Sequence, residues 1–228
     1  MSDFNIEKTL SSDYTNISKD MLEIGLDSIL DNGLLKDIPT VGTLISLTKI
    51  GANIKDRLLI KKLIYFLYET QGIPETDRKK IIEKINKSDE YKTKVGEKLI
   101  FIIDKADDLI KAQLIGKLFN AVLENKLGYS MFIRCTEAIN KTFEPDLMWF
   151  LKKKSLDSIE HIGGIEKESL INSGIIKAVS AEGETMFGGS SFELKYDFSD
   201  VGLCLKKYLC FSDVDYKDLK EDGSKNKW

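Results

Sequence analysis

The stretch from Ile38 to Tyr68 constrains the fold of this chain more than any other segment does. Its first seventeen residues, IPTVGTLISLTKIGANI, carry one charge, on Lys49. The remainder, KDRLLIKKLIYFLY, is both charged and rich in bulky apolar side chains. A segment of this composition is either the central helix of a helical core or a helix that can leave water for a membrane.

The length and the residue pattern of this stretch favour a buried helix. A helix over Ile38–Ile54 would be about 25 Å long, which is shorter than the roughly 30 Å hydrocarbon core of a bilayer. Polar and small residues also recur along one side of it at helical spacing. We therefore predict a long helix from Pro39 to Gln71, with a kink at Gly51–Asn53, that organises a helical bundle.

Small side chains in the first half of this helix predict a face that another helix approaches closely. The approaching helix would come from this chain or from a second copy of it. We assign this helix-approach face to five small or polar residues: Gly42, Ser46, Lys49, Gly51 and Asn53.

A triggered insertion into a membrane is the alternative interpretation of the same stretch. In that case the protein is a membrane-acting effector that keeps the helix 38–54 hidden until a trigger acts. Basic residues after this helix would then contact anionic lipid: Lys55, Arg57, Lys61 and Lys62. Leakage of dye from anionic liposomes would distinguish the two interpretations.

The chain up to residue 154 is typical of a helical bundle. It is part of a sequence of 228 residues that is 42% hydrophobic and has three prolines, which favours helices. We predict a mainly α fold with a multi-helix bundle domain over residues 1–154, in which residues 1–16 form a polar arm. Besides the long helix, amphipathic helices are predicted to begin near Ser18, Pro74, Ser88, Asp107, Ser130 and Pro145.

The residue pattern changes after residue 154. Short helical segments lead to a helix exit, LINSGII, which is followed by two strand-like runs around a glycine-rich turn and by a closing helix. This order resembles the winged-helix module over residues 145–211. We predict a small winged-helix-like α+β module over residues 155–211 and a polar tail over residues 212–228.

The resemblance implies a DNA-reading helix before the hairpin, here the segment IEKESLINSG. This segment carries two glutamates and one lysine, so DNA phosphates would repel it. The net charge of −3 and the pI of about 5.5 give no general attraction to nucleic acid either. We expect no nucleic-acid partner, and a winged-helix DNA-binding regulator is the second alternative.

Charge is distributed unevenly along the chain. Residues 1–40 carry eight acidic residues and three lysines, whereas residues 55–98 carry twelve basic and eight acidic residues. Because opposite charges attract, we predict that the acidic N-terminal part folds over the basic middle.

The residues that catalysis or metal binding usually needs are sparse. The chain has one histidine, His161, and no glycine motif of a nucleotide-binding loop. We interpret Cys135, Cys204 and Cys210 as buried free thiols in a reducing compartment, because their spacing matches no disulfide or metal pattern. Arg134 could perturb the thiol of Cys135, but no histidine lies close in sequence. We predict no catalytic, cofactor-binding or metal-binding residues, and therefore no enzyme.

The function that these patterns favour is a non-catalytic protein-interaction or regulatory role. We expect a cytoplasmic protein, because the segment MSDFNIEKTL does not resemble a signal peptide. Its partner would be another protein or a second copy, with membrane contact only under a trigger. The Lys-, Ile- and Asn-rich composition is typical of an AT-rich bacterial or phage genome, where a defence or toxin–immunity system is the context expected by analogy.

Overall fold

A computed structural model describes residues 6–12, 14, 17–26, 28–29, 38, 41–42, 54–91, 93–152, 164–184 and 190–210. Over these residues the chain is mainly helical, with a small antiparallel sheet of two strands, which confirms the predicted mainly α fold. Its contacts divide the chain into two units, of which the first ends at Phe132 and the second begins at Ile133. The domain limits predicted at residues 154 and 211 stay predictions.

The described residues of the first unit form helices. These are α1 (Ile6–Leu10), α2 (Lys19–Glu23), α3 (Ile54–Thr70), α4 (Glu75–Asn86), α5 (Val95–Lys105), α6 (Leu109–Leu123) and the first turn of α7 (Tyr129–Lys141). Helices α3 and α6 pack along each other at its centre. Gly116 lets them approach, because a Cβ atom there would lie 2.7 Å from the backbone oxygen of Phe66. The ring of Phe119 fills the adjacent space, with its centroid 5.7 Å from that of Phe66 and 5.3 Å from that of Phe132.

The second unit contains a β-hairpin flanked by helices. Its elements are the remainder of α7, α8 (Glu144–Lys152), α9 (Gly164–Asn172), β1 (Ile176–Glu184), β2 (Ser190–Phe198) and α10 (Asp200–Leu209). The two strands pair antiparallel, with Ile176 opposite Phe198 at one end and Glu184 opposite Ser190 at the other. The predicted hairpin and the predicted closing helix are therefore both present.

Two local features connect the hairpin of the second unit to its helices. Gly174 follows α9 in the left-handed conformation, with φ at 77°, and so ends this helix as predicted. The hydroxyl of Ser199 accepts from the amide of Gly202 at 3.0 Å and donates to the carbonyl of Gly174 at 2.6 Å, which caps α10. A Cβ atom at Gly202 would overlap the carbonyl oxygen of Ile175, so glycine allows α10 to pack directly on the backbone before β1.

The N-terminal part of the chain differs from its prediction. The predicted polar arm, residues 1–16, contains the short helix α1, whose Ile6 and Leu10 are fully buried. The next helix begins after Ser18 as predicted, but α2 is short because the backbone of Ile24 leaves the helical region, with φ at −56° and ψ at 124°. Helix α1 packs on α4 and α5, and α2 packs on α3, so this part of the chain does lie against the basic middle.

Other helix boundaries follow from local hydrogen bonds. Helices α4 and α6 begin where the sequence predicts, after Pro74 and Asp108. Helix α5 begins at Val95 and not near Ser88, because the Asn86 side chain accepts from the Val95 amide at 2.9 Å and so caps the helix there. The predicted kink at 51–53 and the predicted tail at 212–228 lie outside the described residues. So do residues 153–163 of the predicted short helical segments and residues 185–189 of the predicted glycine-rich turn.

Candidate functional site

Helix α4 presents two faces of opposite character. Its buried face carries Arg78, which is 1% exposed, together with Ile82 and Ile85. Its other face lines an open cleft with Asp77, Lys80, Ile81 and Lys84. Arg78, on one face, is therefore surrounded by protein groups, whereas Lys80 and Lys84, on the other face, are exposed to water.

The buried guanidinium of Arg78 holds the N-terminal segment, residues 6–12, 14 and 17. Its Nε donates to the carbonyl of Leu10 at 2.8 Å, and its two terminal nitrogens donate to the carbonyl of Ser12 at 2.5 Å and to that of Ile73. The guanidinium also lies over the ring of Tyr14, 4.3 Å from its centroid. These charge-assisted hydrogen bonds offset the cost of removing the cation from water.

Polar side chains at the end of α3 hold the same N-terminal segment. Gln71 accepts from the amide of Ile17 at 3.0 Å and donates to its carbonyl at 2.9 Å. The hydroxyl of Tyr14 lies 2.8 Å from that of Thr70. Burial raises the pKa of Tyr14 to about 12, although the hydrogen bond with Thr70 and the charge of Arg78 act in the opposite direction. The N-terminal segment is thus fixed largely through its backbone.

An open cleft of about 610 Å³ lies between α4 and the turn that ends α6, and we call it the α4–α6 cleft. Its apolar lining consists of Ile73, Pro74, Ile81 and Leu123. Its polar and charged lining residues are all exposed: Asp77, Lys80, Lys84, Glu124, Asn125 and Lys126. With three lysines and two carboxylates, the lining carries a small net positive charge.

One wall of the α4–α6 cleft is the turn after α6. Asn125 adopts a left-handed conformation, with φ at 56°. The amides of Lys126 and Leu127 both donate to the carbonyl of Ala121, at 2.9 and 3.1 Å, and close the end of the helix. Lys126 pairs with Glu124 at 2.9 Å, so this wall contributes little net charge.

The opposite wall of the α4–α6 cleft is helix α4, and its positive charge comes from Lys80 and Lys84. These residues lie one helical turn apart on one face of α4, and no described residue forms an ion pair or side-chain hydrogen bond with either of them. Like charges at this spacing destabilise a helix slightly. A carboxylate bound between the two ammonium groups would remove that repulsion.

The described residues among those predicted for helix approach and for lipid contact do not line the α4–α6 cleft. Gly42 is the described member of the helix-approach face; it is buried, and its amide donates to the carbonyl of Ile38 at 2.6 Å. Lys62 donates to the carbonyl of Asp104 at 2.9 Å, so its ammonium contacts the end of α5. The basic residues predicted to contact lipid all lie in the first half of α3: Lys55, Arg57, Lys61 and Lys62. The other four helix-approach residues lie outside the described part of the chain, and both surfaces stay predictions.

Two other ionisable groups, Lys111 and Glu69, are paired within the first unit. Lys111, on α6, is 1% exposed and forms an ion pair with Asp107 at 2.7 Å. Glu69, on α3, accepts from the side chain of Gln113 at 2.5 Å, and burial raises the pKa of this carboxyl. These contacts connect α6 to its own first turn and to α3, so they stabilise the centre of the first unit.

Two of the three cysteines are buried in the second unit. Cys135 on α7 is fully buried, and Cys204 on α10 is 9% exposed. Cys210 is exposed, so the prediction that it is a core residue is wrong. Helix α10 ends at Leu209, which places Cys210 beyond the apolar face of the helix.

The described residues thus define a mainly helical protein with a small two-stranded sheet and a cleft of mixed charge. No protein-family model, curated protein or solved structure matches the chain. Among the helices of the described residues, none is both long and apolar enough to cross a bilayer. The same residues contain no cluster of three or more His, Cys, Asp or Glu side chains that could hold a metal ion.

Proposed function

We propose that this chain is a non-catalytic protein-interaction or regulatory protein that binds an acidic segment of another protein in the α4–α6 cleft. The observation that carries the proposal is the pair Lys80 and Lys84, which is exposed, has no ion pair with any described residue, and lies beside the apolar side chains of Ile81 and Leu123. We further propose that it is a cytoplasmic protein of bacterial or phage origin.

The chemistry of the cleft favours a peptide segment with one or two carboxylates and an apolar side chain. Carboxylates would meet Lys80 and Lys84, and the apolar side chain would cover Ile81 and Leu123. The charged groups would supply specificity and a faster encounter, while the apolar contact would supply most of the affinity.

A protein segment fits this cleft better than a small metabolite does. Sites for small ligands usually enclose most of the ligand surface and place a few buried polar groups around it. All the charged side chains that line the α4–α6 cleft are exposed, so a ligand there would keep much of its surface in water. A segment anchored by a larger protein can bind under these conditions, because contacts outside the cleft add to its affinity.

A charge-reversal experiment tests the proposal. The double variant Lys80→Glu/Lys84→Glu should lose its partner in affinity purification from the source cells, because a carboxylate ligand would then be repelled. The matched control, Lys79→Glu/Lys87→Glu, makes the same change of charge outside the cleft, at one residue of α4 and at the residue that follows its end. Partners that bind both variants as well as the wild type would contradict the proposal.

A photo-crosslinker in place of Ile81 tests the chemistry of the bound segment. Because Ile81 lines the cleft and is half-buried, the crosslinked peptide should contain the occupant of the cleft. We expect Asp or Glu residues next to an apolar residue in that peptide. A basic peptide, or crosslinking that persists unchanged in the Lys80→Glu/Lys84→Glu background, would show that the cleft does not recognise acidic segments.

We also propose that the second unit includes a winged-helix-like module that does not read DNA. The order α8, α9, β1, β2 and α10 supports the likeness. On α9, Glu166 and Glu168 are exposed, whereas the ammonium of Lys167 lies over the ring of Tyr196, 3.7 Å from its centroid. Helix α9, which would enter the major groove, therefore exposes two carboxylates, while its one lysine contacts a ring of strand β2. We expect no shift of duplex DNA at low ionic strength, and a shift would favour the DNA-binding alternative.

A further inference from the structure

The chain carries in its own sequence a segment of the chemistry that the α4–α6 cleft favours. Residues 213–216, DVDY, alternate acidic and apolar side chains. Nowhere else in the sequence do two aspartates stand two residues apart. This acidic segment lies in the predicted polar tail, outside the described residues. Every copy of the chain therefore offers both a cleft with two exposed lysines and a segment with two carboxylates beside apolar side chains.

The spacing of the two aspartates matches the spacing of the two lysines in the cleft. Lys80 and Lys84 lie four residues apart on α4, which corresponds to about 6 Å along the helix axis. In an extended segment, Asp213 and Asp215 would project from the same side, about 6.7 Å apart. Each carboxylate can then approach one ammonium group, so a single segment removes the repulsion between both lysines.

The apolar residues of the acidic segment match the remaining lining of the cleft. Successive side chains of an extended segment point to opposite sides, so Val214 and Tyr216 would face away from the lysines. The wall opposite α4 includes the apolar side chain of Leu123, at the end of α6. Apolar contact on this side would supply affinity that exposed ion pairs alone supply only weakly.

The connection between the acidic segment and the fold favours a second copy as the donor. Helix α10 ends at Leu209, and four extended residues from there to Asp213 span at most about 14 Å. Within one chain, this short connection allows binding only where the cleft lies within that distance of the end of α10. A segment from a second copy is free of this restriction.

We propose that residues 213–216 of one copy bind in the α4–α6 cleft of a second copy, a contact that rests on the proposed function of the cleft and names its occupant. The contact is head-to-tail, because it joins two different surfaces of the same chain. An acidic partner protein would have to displace the segment. Self-association and binding of that partner therefore exclude each other.

Two complementary variants of the full chain test the proposal in solution. Lys80→Glu/Lys84→Glu reverses the charge of the cleft, and Asp213→Lys/Asp215→Lys reverses that of the segment. In sedimentation equilibrium we expect the wild type to associate as its concentration rises. Each variant alone should associate at least about tenfold more weakly, because like charges then face each other. An equimolar mixture of the two variants should associate again, because every contact between unlike copies pairs opposite charges.

Matched controls reverse the same number of charges outside the proposed contact. They are Lys79→Glu/Lys87→Glu for the cleft and Glu221→Lys/Asp222→Lys for the tail. Both should associate within about twofold of the wild type, because exposed charges outside a contact contribute little. A loss as large as that of the test variants would contradict a contact between these particular residues and indicate an effect of net charge.

A photo-crosslinker in place of Ile81 identifies the donor of the segment. Chains that carry it are mixed with heavy-isotope chains that do not, in the absence of any other protein. We expect the crosslinked peptide to contain residues 213–216 and to carry the heavy isotope. A peptide with residues 213–216 from the crosslinker's own chain only, in a wild type that stays monomeric, would overturn the contact between copies.

The remaining outcomes separate this contact from the proposed function of the cleft. Capture of an acidic partner peptide at Ile81, in a wild type that neither associates nor crosslinks to itself, would overturn self-association and keep the proposed function. Capture of neither would overturn both. Association that Lys80→Glu/Lys84→Glu leaves unchanged would show that copies meet through another surface, and would also overturn the proposal.

Discussion

The two faces of helix α4 show how the same kind of charge can serve different purposes. Arg78 is buried, and its nitrogens donate to three backbone carbonyls, so this cation stabilises the fold. Lys80 and Lys84 are exposed and lie beside apolar surface, so their charge is available to a ligand. All three cations lie on one short helix, so position along the chain does not distinguish them. A buried cation with hydrogen-bond acceptors around it stabilises the chain, whereas an exposed cation beside apolar surface can bind another molecule.

Removing the buried cation is the strongest test of this contrast. Arg78→Met keeps a long apolar side chain but leaves the carbonyls of Leu10, Ser12 and Ile73 without their donor. Because each unsatisfied buried carbonyl costs about 1–3 kcal/mol, we expect the free energy of unfolding to fall by about 4 kcal/mol. Urea denaturation measures this change. A loss below about 1 kcal/mol would mean that water or other groups replace the guanidinium easily.

The next largest loss of stability should come from a substitution that separates α3 and α6. This contact also positions the α4–α6 cleft, because the turn after α6 forms one wall of it. In Gly116→Ala the new Cβ would lie 2.7 Å from the backbone oxygen of Phe66, and α3 and α6 would have to separate. We expect a loss of about 1–2 kcal/mol in the free energy of unfolding, despite the higher helix propensity of alanine.

The control for this substitution is another glycine of the first unit. At Gly128 a Cβ atom would meet nothing within 4 Å, and its φ is not positive. We therefore expect Gly128→Ala to change the free energy of unfolding by less than about 0.5 kcal/mol. Equal effects at Gly116 and Gly128 would contradict the importance of close approach between α3 and α6.

The elements that the sequence predicts well are those with a local signal. Helix α4 begins after a proline, and the side chain of Asp108 caps α6. Gly174 has the residue type that a left-handed helix exit favours. Helix α1 was missed because five residues with two large buried side chains, Ile6 and Leu10, are too few to show a period. Its position depends on Arg78, which lies far along the chain.

The candidate site was harder to predict, for a physical reason. Lys80 and Lys84 have helical spacing that indicates a shared face, but nothing local shows that the turn after α6 lies opposite them. Sequence patterns show which face of one helix is apolar; which two faces meet is determined by the packing of the whole unit.

A smaller effect is expected at Gln71, which holds the N-terminal segment without a charge. Gln71→Ala removes two hydrogen bonds to the backbone of Ile17. Because the site is only partly buried, water can replace some of them, and we expect a loss of about 1 kcal/mol in the free energy of unfolding. Faster hydrogen exchange of the Ile17 amide is the direct measurement. Lys79→Ala, on the exposed side of α4, should leave that exchange rate unchanged.

The smallest predicted change in the free energy of unfolding is an increase, and it distinguishes the exposed lysines of α4 from the buried Arg78. Lys80→Gln/Lys84→Gln removes two like charges one turn apart, so at low salt we expect the free energy of unfolding to rise by about 0.3 kcal/mol. The gain in the free energy of unfolding should vanish in 1 M salt, where the Debye length is about 3 Å.

The control variant is Lys79→Gln/Lys87→Gln. It loses the ion pair between Lys87 and Glu83, whose charged atoms lie 3.8 Å apart, and should not gain stability. If Lys80→Gln/Lys84→Gln instead lost more than about 1 kcal/mol, these lysines would be structural like Arg78. A gain in stability combined with loss of the partner would show that α4 keeps two repelling charges because a ligand needs them.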